Sequence, residues 1–189
     1  MLAMATTLAF AAPADDEPPA PVNPAGILTQ WTGQLTGQLN SQFSQAKQTV
    51  GEKTTDLLGR AMGLLGVPYR RGGNSENTGF DCSGFVRHLY EQSFGQLLPR
   101  RAAEQAKFTE AIDPNELKPG DLVFFNTMKR AFSHVGIYVG EGKFIHSPRT
   151  GKSVQVDDMR SAYWQKRFNG ARRVDPQSLP AQPTPDSKR

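Results

Sequence analysis

From Leu117 onward the chain changes its period. Upstream, apolar residues recur every three or four positions, the spacing of one helix face; downstream they come in short runs and alternations, the spacing of strands. Thr54 or Thr55 can cap a helix with Leu57, Leu58, Ala61, Met62 and Leu65 on its buried side, ending at Gly66 and Pro68. A second helix is expected from Ser83 to Phe94 and a short one from Ala102 to about Phe108. After the turn Lys118-Pro119-Gly120-Asp121, the run Leu122-Val123-Phe124-Phe125 reads as a strand buried on both faces. Strands at 133–139, 143–147 and 153–156 follow, then a helix near 161–166 and a last strand around 171–174. Helices first and an antiparallel meander after them define an α+β fold, with the N-terminal helices packed on a central antiparallel sheet.

The hairpin in that meander carries two of the three histidines, His134 and His146. Side chains alternate along a strand, so the register decides whether the two rings share a face. A two-residue turn at Glu141-Gly142 would pair Gly140 with Lys143 and put them on opposite faces. A three-residue loop, Gly140-Glu141-Gly142, pairs Val139 with Lys143 and Gly136 with His146, which puts both rings on one face about 7 Å apart at the backbone. Gly136, without a side chain, leaves room for their contact. The three-residue loop is therefore expected.

Cys82 is the only cysteine in 189 residues. It falls where a glycine-rich polar run gives way to the second helix, so unpaired backbone N–H groups and the positive end of the helix dipole could stabilise a thiolate there. The bland alternative is a small buried hydrophobe. A thiol alone is a slow nucleophile near neutral pH; an imidazole can take its proton, and a third group must hold that imidazole in one tautomer. With Cys82 as the thiol, His134 and His146 are the candidates for the other two places; read singly, His134 is alternatively a strand histidine beside the core and His146 a strand-end cap before Pro148. Tyr69, in a glycine-bordered loop, is either packing or a hydroxyl offered to a thiolate or oxyanion. Asp81 either caps the helix or meets a substrate amine. His88, nearly two turns along the helix, reads as a surface or packing residue.

One cysteine rules out an internal disulfide framework and any cysteine-cluster metal site. The net charge of +4 suits an anionic partner. Its basic pairs are scattered and no nucleic-acid motif accompanies them, so a solvated basic surface is expected and nucleic acid is not. Residues 1–12 resemble the end of a secretory signal, with an apolar core and the small-x-small site Ala9-Phe10-Ala11 but no basic start. Residues 13–52 read as a proline-rich and then glutamine-rich linker or marginal helix, its apolar stripe running from Trp31 to Val50. Residues 53–175 form the folded domain, and 176–189 a disordered tail. No stretch has the length of a membrane span. Export is expected, the alternative being a plain apolar tail.

The ordered set Gly66-Val67-Pro68-Tyr69-Arg70-Arg71-Gly72-Gly73, Phe80-Asp81-Cys82-Ser83-Gly84-Phe85-Val86, Leu98-Pro99-Arg100, Lys118 to Phe125, Ser133 to Gly140 and Phe144-Ile145-His146-Ser147 resembles the NlpC family of papain-like cell-wall cysteine peptidases. The resemblance implies a papain-like fold and hydrolysis of peptidoglycan stem peptides, typically between a γ-linked D-glutamate and a diamino acid such as meso-diaminopimelate. It implies Cys82 as nucleophile, His134 as base and then acid, and His146 as the orienting residue. Tyr69 matches a position beside the thiolate, and Asp81 and Ser83 match positions that help bind substrate. No cofactor and no metal are implied, and a monomer is expected. The competing readings are a non-catalytic wall-binding or scaffold protein on the same fold, and an amidase or acyl transferase using the same three residues.

Overall fold

Helix α1 covers 48–63 within the residues that the computed structural model describes, which are 44–45, 48–127 and 129–175. Residues 1–43 and 176–189, with the expected signal, most of the expected linker and the tail, lie outside that set, whereas residues 48–52 of that linker belong to α1. Leu57 and Ala61 on α1, with Leu64 in the turn just after it, form a buried stripe four and three positions apart. Two expectations fail here. Thr54 and Thr55 sit inside the helix, their hydroxyls donating to the carbonyls of Val50 and Gly51 at 2.9 and 3.0 Å, so neither caps it. Met62 and Leu65 flank the stripe and are each 46% exposed.

Helix α2, Cys82–Phe94, begins where Asp81 accepts a hydrogen bond from the Gly84 N–H, and it ends at Gly95 in the left-handed region. Its inner face buries Phe85, Val86, Leu89 and Tyr90. Helix α3 is Ala102–Phe108. A two-stranded ribbon, β1 (Asn74–Ser75) and β2 (Gly79–Phe80), precedes α2.

The main sheet has six antiparallel strands: β3 (Glu110–Ile112), β4 (Leu122–Phe125), β5 (His134–Gly140), β6 (Lys143–His146), β7 (Gln155–Asp158) and β8 (Phe168–Arg173). The spatial order is β3-β8-β4-β5-β6-β7, so the meander β4 to β7 is flanked by a last strand that returns beside the first. Strand β3 is not foreseen in the sequence, and β8 begins three residues earlier than expected. A short helix α4, Ala162–Gln165, leads into β8.

Strand β4 is buried throughout, as its unbroken apolar run requires. Leu122 and Phe124 join the core with α1 and α2, whereas Val123 and Phe125 pack with Phe144 and Trp164 on the opposite face.

The hairpin differs from expectation in its turn and agrees in its outcome. Gly140 pairs with Lys143, leaving a two-residue turn in which Glu141 and Gly142 have φ of 53° and 72°, as a type I′ turn needs. Further down, Tyr138 pairs with Phe144 and Ile137 with Ile145, so the ladder shifts by one residue at Val139. That bulge cancels the parity of the short turn. The rings of His134 and His146 therefore share a face, and Gly136 is what makes room: a Cβ there would lie 2.6 Å from Phe144 Cδ2 and 3.1 Å from His146 Cβ.

Candidate active site

The two imidazoles are hydrogen-bonded, His134 Nε2 to His146 Nδ1 at 2.7 Å, and the bond is buried. Behind them, His146 Nε2 meets Asp157 Oδ2 at 3.0 Å. The carboxylate of Asp157 also accepts from Trp164 Nε1 at 3.2 Å and from Gln155 Nε2 at 2.9 Å. A carboxylate only accepts, so His146 carries its proton on Nε2 and presents a lone pair at Nδ1. His134 must then donate through Nε2, and its own Nδ1 lone pair is left to face the cleft. Trp164, stacked on His134 with ring centroids 5.7 Å apart and planes at 22°, limits rotation of that ring.

Sequence reading misses Asp157. The expected strand stops at Val156, one residue short, and on β7 Asp157 pairs with Phe144, diagonal to His146 on the same face. An acidic residue at an alternate position opposite His146 was the available signal.

Cys82 is half-buried at the start of α2 and lines the cleft with His134 and Tyr69. Burial pushes its thiol up to about 11, with the nearby Asp81 carboxylate adding to the rise; the backbone N–H groups of Val135, Ser83 and Cys82 pull the other way. The stabilisation of a thiolate expected at the helix start is thus outweighed: desolvation exceeds the pull of the three amides. Burial, reinforced by His146, lowers His134 well below the ordinary histidine value, and burial also lowers His146 despite Asp157. The resting pair is a neutral thiol beside a neutral imidazole.

Asp81 has less freedom than an amine-binding group needs. Arg100 grips both of its oxygens, Nη1 on Oδ1 at 2.9 Å and Nη2 on Oδ2 at 2.6 Å. The Gly84 and Gly72 N–H groups donate at 2.8 and 3.0 Å, and Ser83 Oγ donates at 3.3 Å. Ser83, 5% exposed, also accepts from Arg100 Nη1 at 3.0 Å. Asp81 and Ser83 thus build the wall under Cys82. Arg100 is a second residue that sequence reading leaves without a role. Tyr69 stands where the cleft divides, and burial together with Cys82 raises its hydroxyl, keeping it protonated. His88 lies away from the site, its ring 5.1 Å from Phe80.

A thiol at a helix N-terminus, set against a sheet that presents an oriented imidazole, is the architecture of papain-like cysteine hydrolases. The NlpC/P60 family matches residues 66–173. The chain belongs to that family. It is 47% identical over 131 residues to murein DD-endopeptidase MepH of Escherichia coli K12, covering 68% of this chain and 48% of the relative. It is 36% identical over 150 residues to murein DD-endopeptidase MepS/murein LD-carboxypeptidase of the same strain, covering 77% of each. Among solved structures, an NLP/P60 family protein similar to a lipoprotein, from Staphylococcus aureus Mu50, superposes with a TM-score of 0.60 at 36% identity, covering 65% of this chain and 41% of that one. The chain thus spans about half the length of MepH and about three quarters of MepS.

Proposed function

We propose that this protein is a peptidoglycan endopeptidase that hydrolyses stem-peptide amide bonds through a thioester on Cys82. The relay from Asp157 through His146 to His134, with hydrogen bonds of 3.0 and 2.7 Å, supports it most: it leaves one basic nitrogen, His134 Nδ1, directed to the cleft that Cys82 lines. Burial of a histidine pair backed by a half-buried carboxylate is costly unless their orientation is used.

His134 Nδ1 takes the thiol proton as the sulfur attacks the amide carbon, because the resting thiol is neutral. The oxygen of the tetrahedral intermediate faces the backbone N–H of Cys82, with the Tyr69 hydroxyl beside it. Collapse expels the amine, which leaves with the proton that His134 returns. Water then gives its proton to His134 and attacks the thioester carbon; the acid departs and the thiol is restored. Asp157 holds His146, and His146 holds His134, in one tautomer through both halves.

The substrate class rests on membership of the family and on similarity to MepH and MepS, both murein DD-endopeptidases. Two bonds are in play: the γ-D-glutamyl to diamino acid amide and the D,D-amide of the cross-link. Similarity to the gamma-D-glutamyl-L-lysine dipeptidyl-peptidase of Bacillus subtilis, 40% identical over 120 residues, supports the first, and similarity to MepH and MepS supports the second. Residues 53–175 would carry the activity, as a monomer, outside the cytoplasm and in a periplasm. No helix among the described residues is long and apolar enough to cross a membrane.

Digestion of purified peptidoglycan, read by mass spectrometry, tests the proposal. New amine and carboxyl termini within stem peptides are expected, and their masses name the bond. Intact stem peptides after prolonged digestion, with binding retained, would favour the scaffold reading. Products joined to an added amine would favour acyl transfer.

A further inference from the structure

The cleft divides at Cys82 into two arms of unequal charge. One arm, of about 850 Å³, runs along α3 and carries five cationic side chains against two carboxylates. The other, of about 690 Å³, balances Arg149 and Lys152 against Asp157 and Asp158 beside Tyr163 and Trp164. The α3 arm's two carboxylates are already engaged: Asp81 is held by Arg100, and Glu104 lies 4.0 Å from Arg101 and accepts from its backbone N–H at 3.2 Å. Arg71, Lys107 and Arg130 form no ion pair with a described carboxylate, and all three are exposed to the arm.

Unpaired cations converging on a concave surface raise the local concentration of anions and orient them. A γ-linked glutamyl residue keeps its α-carboxylate, and a dicarboxylic diamino acid such as meso-diaminopimelate, joined to the next residue through one carboxyl, keeps the other. Every amide of such a stem therefore has a free carboxylate within a residue or so of it. Resting on the endopeptidase reading above, we propose that the α3 arm is a carboxylate subsite: Arg71, Lys107 and Arg130 take the stem segment whose carboxyl groups are free, so stems carrying carboxamides there are poorer substrates. Arg100, tied to Asp81, supports the wall of this subsite. The balanced, aromatic arm receives the other side of the scissile bond.

The test uses the full chain and two matched synthetic cross-linked stem-peptide dimers, one with free carboxyl groups and one with those groups converted to carboxamides. Wild type should show a higher kcat/KM for the carboxylate form, by roughly two- to fivefold for each cation engaged. The preference should shrink as salt rises from about 0.05 to 0.5 M. In the triple variant Arg71→Gln, Lys107→Gln, Arg130→Gln the ratio between the two forms should approach one, whereas Arg149→Gln, in the other arm, should leave the ratio as in wild type. Binding of both dimers to Cys82→Ala, measured by calorimetry, reads the same preference without hydrolysis. Equal kcat/KM for the two forms in wild type, or a ratio untouched by the triple variant, overturns the subsite. No cleavage of either form, with the binding preference intact, instead overturns the endopeptidase reading and keeps the subsite.

Discussion

Asp157 stands two hydrogen bonds behind His134, and its contribution is orientation. Its oxygen accepts from His146 Nε2, and everything about the His134 tautomer follows from that one contact. Asp157→Ala should lower kcat by about 10- to 100-fold with little change in KM, the usual cost of losing an outer orienting partner. Asp157→Asn keeps an accepting oxygen and should retain most of the activity; equal losses in both variants would show that charge, and not orientation, is what matters. The thiol makes a second prediction at this scale. With burial pushing Cys82 up to about 11, absorbance near 240 nm should show no thiolate at pH 7, and iodoacetamide should react faster as pH climbs into the alkaline range. Rapid alkylation at pH 5 to 6 would instead reveal a standing thiolate–imidazolium pair.

The hairpin β5–β6 sets the relay, and it does so through a compensation that no local signal announces. A type I′ turn alone would turn His146 to the far face; the bulge at Val139 brings it back. The alternation of Ser133 to Val139 and Lys143 to Ser147 was legible from the sequence, and so was the need for a bare Gly136 opposite His146. The bulge was not, because an extra residue in a strand leaves the hydrophobic pattern nearly intact. Asp157 and Arg100 were hidden for a different reason. Each matters through a partner 11 or 19 residues away, and only the closed sheet or the packing of α3 brings those partners together. Gly136→Val would press on Phe144 and His146, and it should cost about 1–3 kcal/mol of stability and lower activity with it. A fully stable, fully active Gly136→Val protein would show that the ring contact tolerates displacement.

Across the whole molecule, burying two neutral histidines ties stability to pH. Both His134 and His146 have folded-state values below the ordinary 6.5, so the unfolded chain binds protons that the folded chain refuses. Stability should therefore be fullest above pH 6.5 and fall as pH drops beneath it, by up to about 1.4 kcal/mol per pH unit for each histidine. Asp157, whose folded value is lowered below 3.8, adds stability that is lost only at more acidic pH, so it does not offset the fall between pH 6.5 and 5. Thermal unfolding followed over pH 5 to 8 should show Tm declining on the acid side; a flat or rising Tm there would mean that the pair is protonated in the folded state. The function itself turns on one atom. Purified peptidoglycan digested in parallel by wild type and by Cys82→Ala, with stem-peptide fragments counted by mass spectrometry, should show release by the wild type and none by the variant, although both still bind the wall. Equal release by Cys82→Ala would contradict a thioester on this cysteine.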